Sequence, residues 1–129
     1  MIGRLAKWWK DRRQANRDAL MPERKILVSF TDAGIRASYP DGTTEAIEWP
    51  SVQRIYIETN DSGPAGADFW WVLEGDAARC AFPQGATGEA EAARVVASKF
   101  AGFDDMMVVK AVGSTSNARF VCWERKNAL

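Results

Sequence analysis

The sequence predicts an α+β fold: a bent antiparallel sheet, or partial barrel, of about seven strands, packed by two C-terminal helices and preceded by an N-terminal helix. Three observations predict it. Apolar residues alternate with period two from residue 25 to 83. Gly, Pro and Asp clusters interrupt that stretch every few residues, as turns between short strands do. After residue 83 the apolar period becomes helical, and it returns to two only near the end of the chain.

The elements follow in order. In "IGRLAKWWKDRRQANRDAL", residues 2–20, Ile2, Leu5, Ala6 and Trp9 sit at helical spacing, and Pro22 ends the helix. Residues 1–22 are therefore read as a basic amphipathic helix, and 23–129 as a single α+β domain. "KILVSF" alternates Ile26, Val28 and Phe30, and Asp32 to Gly34 form a turn. "IRASY" is a second strand, and "PDG" at 40–42 is a hairpin signal. "TTEAIEW" sets Glu45, Ile47 and Trp49 against Thr44, Ala46 and Glu48, and Pro50 closes it. "VQRIYIET" is a fourth strand, with a bulge expected near Gln53. "NDSGPAGAD" is a loop, "FWWVLEG" and "ARCAFP" are strands five and six, and together the six read as a meander.

Beyond "PQGATG", Ala93, Val96, Ala97 and Phe100 share a helical face across 88–101, with Thr87 as N-cap and Gly102 as terminator. Asp104 caps a second short helix, "DMMVVKAV", which Gly113 ends. "RFVCWER" is the last strand.

Composition narrows the function. With 129 residues and 47% hydrophobic content, the chain can bury a core without disulfide or metal. There is no histidine, which removes Ser-His-Asp and Cys-His catalysis and His-ligated zinc. Cys80 and Cys122 lie in alternating apolar segments and read as reduced structural thiols. No apolar run approaches the roughly 20 residues of a membrane span, and no secretory leader is visible, so a cytoplasmic location is expected. Net charge is zero but uneven. Residues 1–25 hold eight basic and three acidic residues, and 26–129 hold nine basic and fourteen acidic.

"DFWWVLE", residues 68–74, raises the sharpest question. Neighbouring side chains on a strand point to opposite faces, so Trp70 and Trp71 cannot enter the same core. Phe69, Trp71 and Leu73 form the better core set, which leaves Trp70 on the outer face. A buried Trp is worth roughly 4–6 kcal/mol by area, so Trp70 needs a cover: an internal one is expected first, from the N-terminal helix ahead of the C-terminal elements, and a partner protein is the alternative.

Two resemblances add to this. Pro40, Asp41, Gly42, Ile47, Trp49, Val52, Ile55 and Ile57 resemble the opening strands of bacterial pleckstrin-homology-like domains, with the helix at 88–101 as the helix that plugs such a barrel. The extra helix and strand at 104–125 depart from that pattern. The features "FWWVLEG", "PQGATGE", "GFD" and Ser114–Trp123 resemble a family of small uncharacterised bacterial proteins. That family brings no known activity. Toxin-immunity proteins are of similar size and shape, an analogy of fold alone.

The candidate sites are of three kinds. An exposed Trp70 with Glu58, Asp61 and Asp68 would form a partner-binding surface at the sheet rim. Trp8, Trp9, Lys7, Lys10, Arg12 and Arg13 would suit an anionic membrane surface. "PQGATGE" lacks a P-loop lysine and reads as a strand-to-helix turn. No nucleophile with a base and no recognisable carboxylate pair occurs. The expectation is a non-catalytic protein-binding module, most concretely an immunity-type inhibitor of a bacterial toxin. It would use no cofactor and no metal, and would not bind nucleic acid. The alternative is a module peripheral to the inner membrane that binds lipid headgroups through its basic helix.

Overall fold

The computed structural model describes residues 25–60, 69–114 and 116–126. Among these, seven strands and two α-helices form an α+β arrangement with two antiparallel sheets rather than one. The first sheet is a meander of β1 (Leu27–Phe30), β2 (Gly34–Ser38) and β3 (Thr44–Glu48). The second has the order β6-β5-β4-β7, from β4 (Arg54–Thr59), β5 (Phe69–Glu74), β6 (Arg79–Pro83) and β7 (Ala118–Glu124). Helices α1 (Glu89–Lys99) and α2 (Asp105–Val112) connect β6 to β7. The expected N-terminal helix lies outside the described residues.

The sheets separate at Trp49–Ser51, a single 3-10 turn. Pro50 has no N–H to donate, so β3 cannot continue in a ladder. Trp49 leaves the strand there, and its indole N–H donates to Thr31 O at 3.0 Å. The β2–β3 hairpin turns as "PDG" predicts. Asp41 Oδ1 accepts from the Thr43 N–H at 3.0 Å, and Gly42 takes φ +89°. The bulge falls elsewhere than expected. The β4–β7 register shifts between Ile55 and Tyr56, which leaves Cys122 of β7 as the extra residue and not Gln53.

β3 stands beside β6 without pairing to it, and side chains bridge the gap. Glu45 Oε1 accepts from the Ala81 N–H at 2.9 Å, and the Tyr39 hydroxyl donates to Ala81 O. These two bonds satisfy the edge of β6 at a fully buried residue. Glu45→Ala should therefore leave a buried N–H unpaired and cost about 1–3 kcal/mol. Glu45→Gln keeps an acceptor there and should cost less than half as much. Urea unfolding of both variants tests this, and equal costs would count against the bond.

On the other side, the segment before α1 takes up the edge of β1. Val28 N–H donates to Thr87 O at 2.8 Å and Thr87 N–H to Ile26 O at 2.9 Å. Gly88, not Thr87, is the N-cap of α1, with φ +89° and no side-chain cap bond. Asp104 does cap α2, accepting from the Met106 N–H at 3.0 Å.

Candidate functional site

β5 explains why alternation misplaced one tryptophan. Trp70 and Trp71 do point to opposite faces, but both are buried, at 0% and 4% exposure. Trp71 faces the helices. Its indole N–H donates to Glu89 Oε2 at 2.9 Å, and its ring stacks on Phe103 with centroids 6.5 Å apart. Trp70 lies opposite Glu58 of β4 and Pro83 of β6. Tyr56, Val72 and Ala81 on the same face are also fully buried. The burial is that of a single copy, so the cover is intramolecular. Trp70 is thus not the exposed aromatic of a partner-binding surface, because this sheet is buried at its centre on both faces.

Glu58 is half-buried, and its carboxylate is paired with Arg119 at 3.5 Å. Burial raises its pKa, and the Arg119 guanidinium opposes that rise. Arg119 also lies over the Tyr56 ring, 4.1 Å from its centroid. Along the same face, Arg54 reaches Glu124 at 2.6 Å and Glu74 at 3.8 Å. Such partly exposed pairs add little stability, but they leave Glu58 and its neighbours engaged. Asp61 and Asp68, and Trp8, Trp9, Lys7, Lys10, Arg12 and Arg13, lie outside the described residues.

Both thiols are enclosed. Burial, with Asp104 and Asp105 adding to it, pushes Cys122 up to about 12. Burial pushes Cys80 higher still, with a contribution from Glu45. Each is protonated at neutral pH and so a poor nucleophile. Among the described residues, no group of three or more His, Cys, Asp or Glu could hold a metal. No helix among them is long and apolar enough to cross a membrane.

Two surface features remain. One is an open groove of about 580 Å³ over the first sheet, lined by Phe30, Ile35 and Ile47 with Arg36 and Glu48. The other is α2, whose sequence "DMMVVKAV" carries only two charged residues in eight. Its inner side sets Met107, Val108 and Ala111 against the core, with Ala111 1% exposed. Its outer side presents Met106, Val109 and Val112 at 60%, 60% and 63% exposure. Their spacing of three residues makes one row along the helix. Each end of the helix is anchored. Asp104 N–H donates to Cys122 O at 2.8 Å, and Ser114 Oγ lies 3.2 Å from Thr59 Oγ1. A fixed helix that is apolar on both sides has an outer face without a core to enter. The sequence held this signal: a surface helix can bury one stripe, and six of these eight residues are apolar.

Comparison with known proteins gives no match to a family model, a curated protein or a solved structure.

Proposed function

We propose that this chain is a non-catalytic protein-binding module whose docking surface is the outer face of α2. The observation that carries it is the exposed row Met106, Val109 and Val112 on a helix held at both ends. With the helix held at both ends, docking orders the exposed side chains but little of the backbone beneath them. The buried, protonated thiols and the paired Glu58 favour a role in binding over one in chemistry. An immunity-type role, with a toxin domain as the partner, is a special case that now has α2 in place of Trp70. In the finer architecture, the sheets are read as pleckstrin-homology-like. Two features support that: α1 buries Ala92 and Val96 while packing on β1, and β2 and β3 stand beside β6.

Val109→Lys is the direct test. The position is exposed and lysine is a good helix former, so stability should change by no more than about 0.5 kcal/mol. Affinity capture should lose the stoichiometric partner with Val109→Lys and keep it with Trp70→Phe. Retention by Val109→Lys would remove α2 from the interface.

A further inference from the structure

We propose that residues 1–24 of this chain are the fixed cover of the Trp70 face of the second sheet, so that the basic arm is an internal packing element and not a membrane anchor. This inference is independent of the reading of α2.

The described elements all meet the other face of that sheet. α1 reaches it through Glu89 on the Trp71 indole, and Phe103 stacks on the same ring. The end of α2 is tied through Ser114 to Thr59, which lies on Trp71's side of β4. The first sheet arrives through Glu45, whose carbonyl accepts from Cys80 Sγ at 3.6 Å. Cys80 pairs with Leu73, again on the Trp71 side. Trp70, Val72 and Tyr56 on the opposite face are nevertheless 0% exposed. Arg119 crosses the Tyr56 ring at 4.1 Å, but it belongs to β7, and β5 with Trp70 and Val72 stands two strands away. The cover of this face therefore comes from the same copy and from outside the described residues.

Those residues are 1–24, 61–68, 115 and 127–129. Position 115 and the last three are too few to span a sheet. Residues 61–68, "DSGPAGAD", hold nothing apolar larger than proline. Residues 1–24 hold Ile2, Leu5, Trp8, Trp9 and Leu20, side chains large enough to fill such a face. Their point of entry agrees. Ile26, one residue past Lys25, accepts through its carbonyl from the Thr87 N–H. Thr87 is four residues beyond Pro83, which pairs with Trp70, and four residues span at most about 14 Å. So the segment joins the described chain beside the Trp70 end of the sheet. Size agrees as well. The helix predicted over 2–20 would be about 28 Å long and about 10 Å across. The breadth from β4 to β6 is also about 10 Å, so one helix covers it. Charge favours the same docking. Eight basic and three acidic residues in 1–25 meet a remainder with nine basic and fourteen acidic. Trp8 and Trp9, which would suit an anionic membrane, are the bulk this face requires. Placing them in a bilayer would uncover Trp70, Tyr56 and Val72.

Photo-crosslinking of the full chain reads the contact, with p-benzoylphenylalanine placed at position 8 and at position 9 in turn. At least one position should give a product of monomer mass linked to β4, β5 or β6. Links only to α2 or the first sheet, or no internal link from either position, would overturn the proposal. A product of dimer mass alone would overturn the assignment to the chain's own arm. The same irradiation with vesicles of phosphatidylcholine and phosphatidylserine should leave the yield unchanged. Loss of the link on vesicles would overturn the fixed cover in favour of a membrane-binding arm. Hydrogen exchange of the unmodified chain is the second reading. Amides within residues 2–20 should exchange at least about tenfold more slowly than in an unfolded chain, and unfolded rates there would overturn the proposal.

Discussion

Alanine in place of Gly88 is expected to cost about 3 kcal/mol, a fall in melting temperature of roughly 10 °C for a chain of this size. Two effects combine at this position. Gly88 has φ +89°, where a Cβ costs about 1–2 kcal/mol on backbone grounds alone. A Cβ there would also sit 2.3 Å from the carbonyl oxygen of Val28, a backbone atom that cannot rotate away. β1 and the start of α1 would have to part. The two hydrogen bonds from Thr87, to Val28 of β1 and to Ile26 just before it, lie in the path of that motion. The protein supplies its own controls. Gly42 and Gly102 have φ +89° and +86°, but nothing lies within 4 Å of a Cβ built at either. Gly42→Ala and Gly102→Ala should show the backbone cost alone, about 1 kcal/mol. The excess at Gly88 measures how tightly α1 is held to β1. Thermal melts of the three variants test this, and equal costs at all three sites would mean that β1 yields freely.

Much of the strand pattern was legible because these strands are built on alternation. Val28, Ile35, Ala37 and Ile47 are buried where period two puts them. Turn chemistry was legible at Asp41 and Gly42, and a helix cap at Asp104. What alternation cannot express is a contact between sheets. Glu45 sits on the inward side of β3, where an acid looks like a flaw in the pattern. In the fold it completes the edge of β6 through the Ala81 N–H. Trp70 failed for a related reason. Periodicity assigns a face but does not say whether that face meets solvent, and this sheet is covered on both sides at its centre. The split into two sheets depended on Pro50 ending a ladder, which the sequence showed only as the end of a strand. The candidate site was missed in a different way. The helix "DMMVVKAV" was readable, but its outer row emerges only when Met107, Val108 and Ala111 are seen to occupy the inner side.

Raising the pH from 8 to 11 is expected to lower stability steeply, by on the order of several kcal/mol, a large share of what a domain of this size has. Three buried groups carry the effect. Cys122 is pushed up to about 12 and Cys80 also upward, from an ordinary 9.0, while burial raises Tyr56 from 10.0 to about 12. In each case the folded state holds a proton that the unfolded chain releases sooner. Their contribution is complete below the unfolded values and declines as the pH rises through the window toward the folded ones. Each group contributes a slope of about 1.4 kcal/mol per pH unit between its unfolded and folded values, and the thiols, which start to titrate lower in the unfolded chain, contribute more of it than the phenol. Urea unfolding at pH 8, 9.5 and 11, with reductant present, gives the slope. The Cys80→Ala, Cys122→Ala double variant starts lower because it leaves small cavities, but it should lose less than half as much over the same range. The comparison also bears on function. A steep slope that flattens in the double variant means both thiols are closed to water at neutral pH. They would then be poor nucleophiles, which favours binding through α2 over covalent chemistry. A flat wild-type profile would mean that a thiol reaches solvent, and would reopen Cys122, beside Asp104 at the base of α2, as a reactive group.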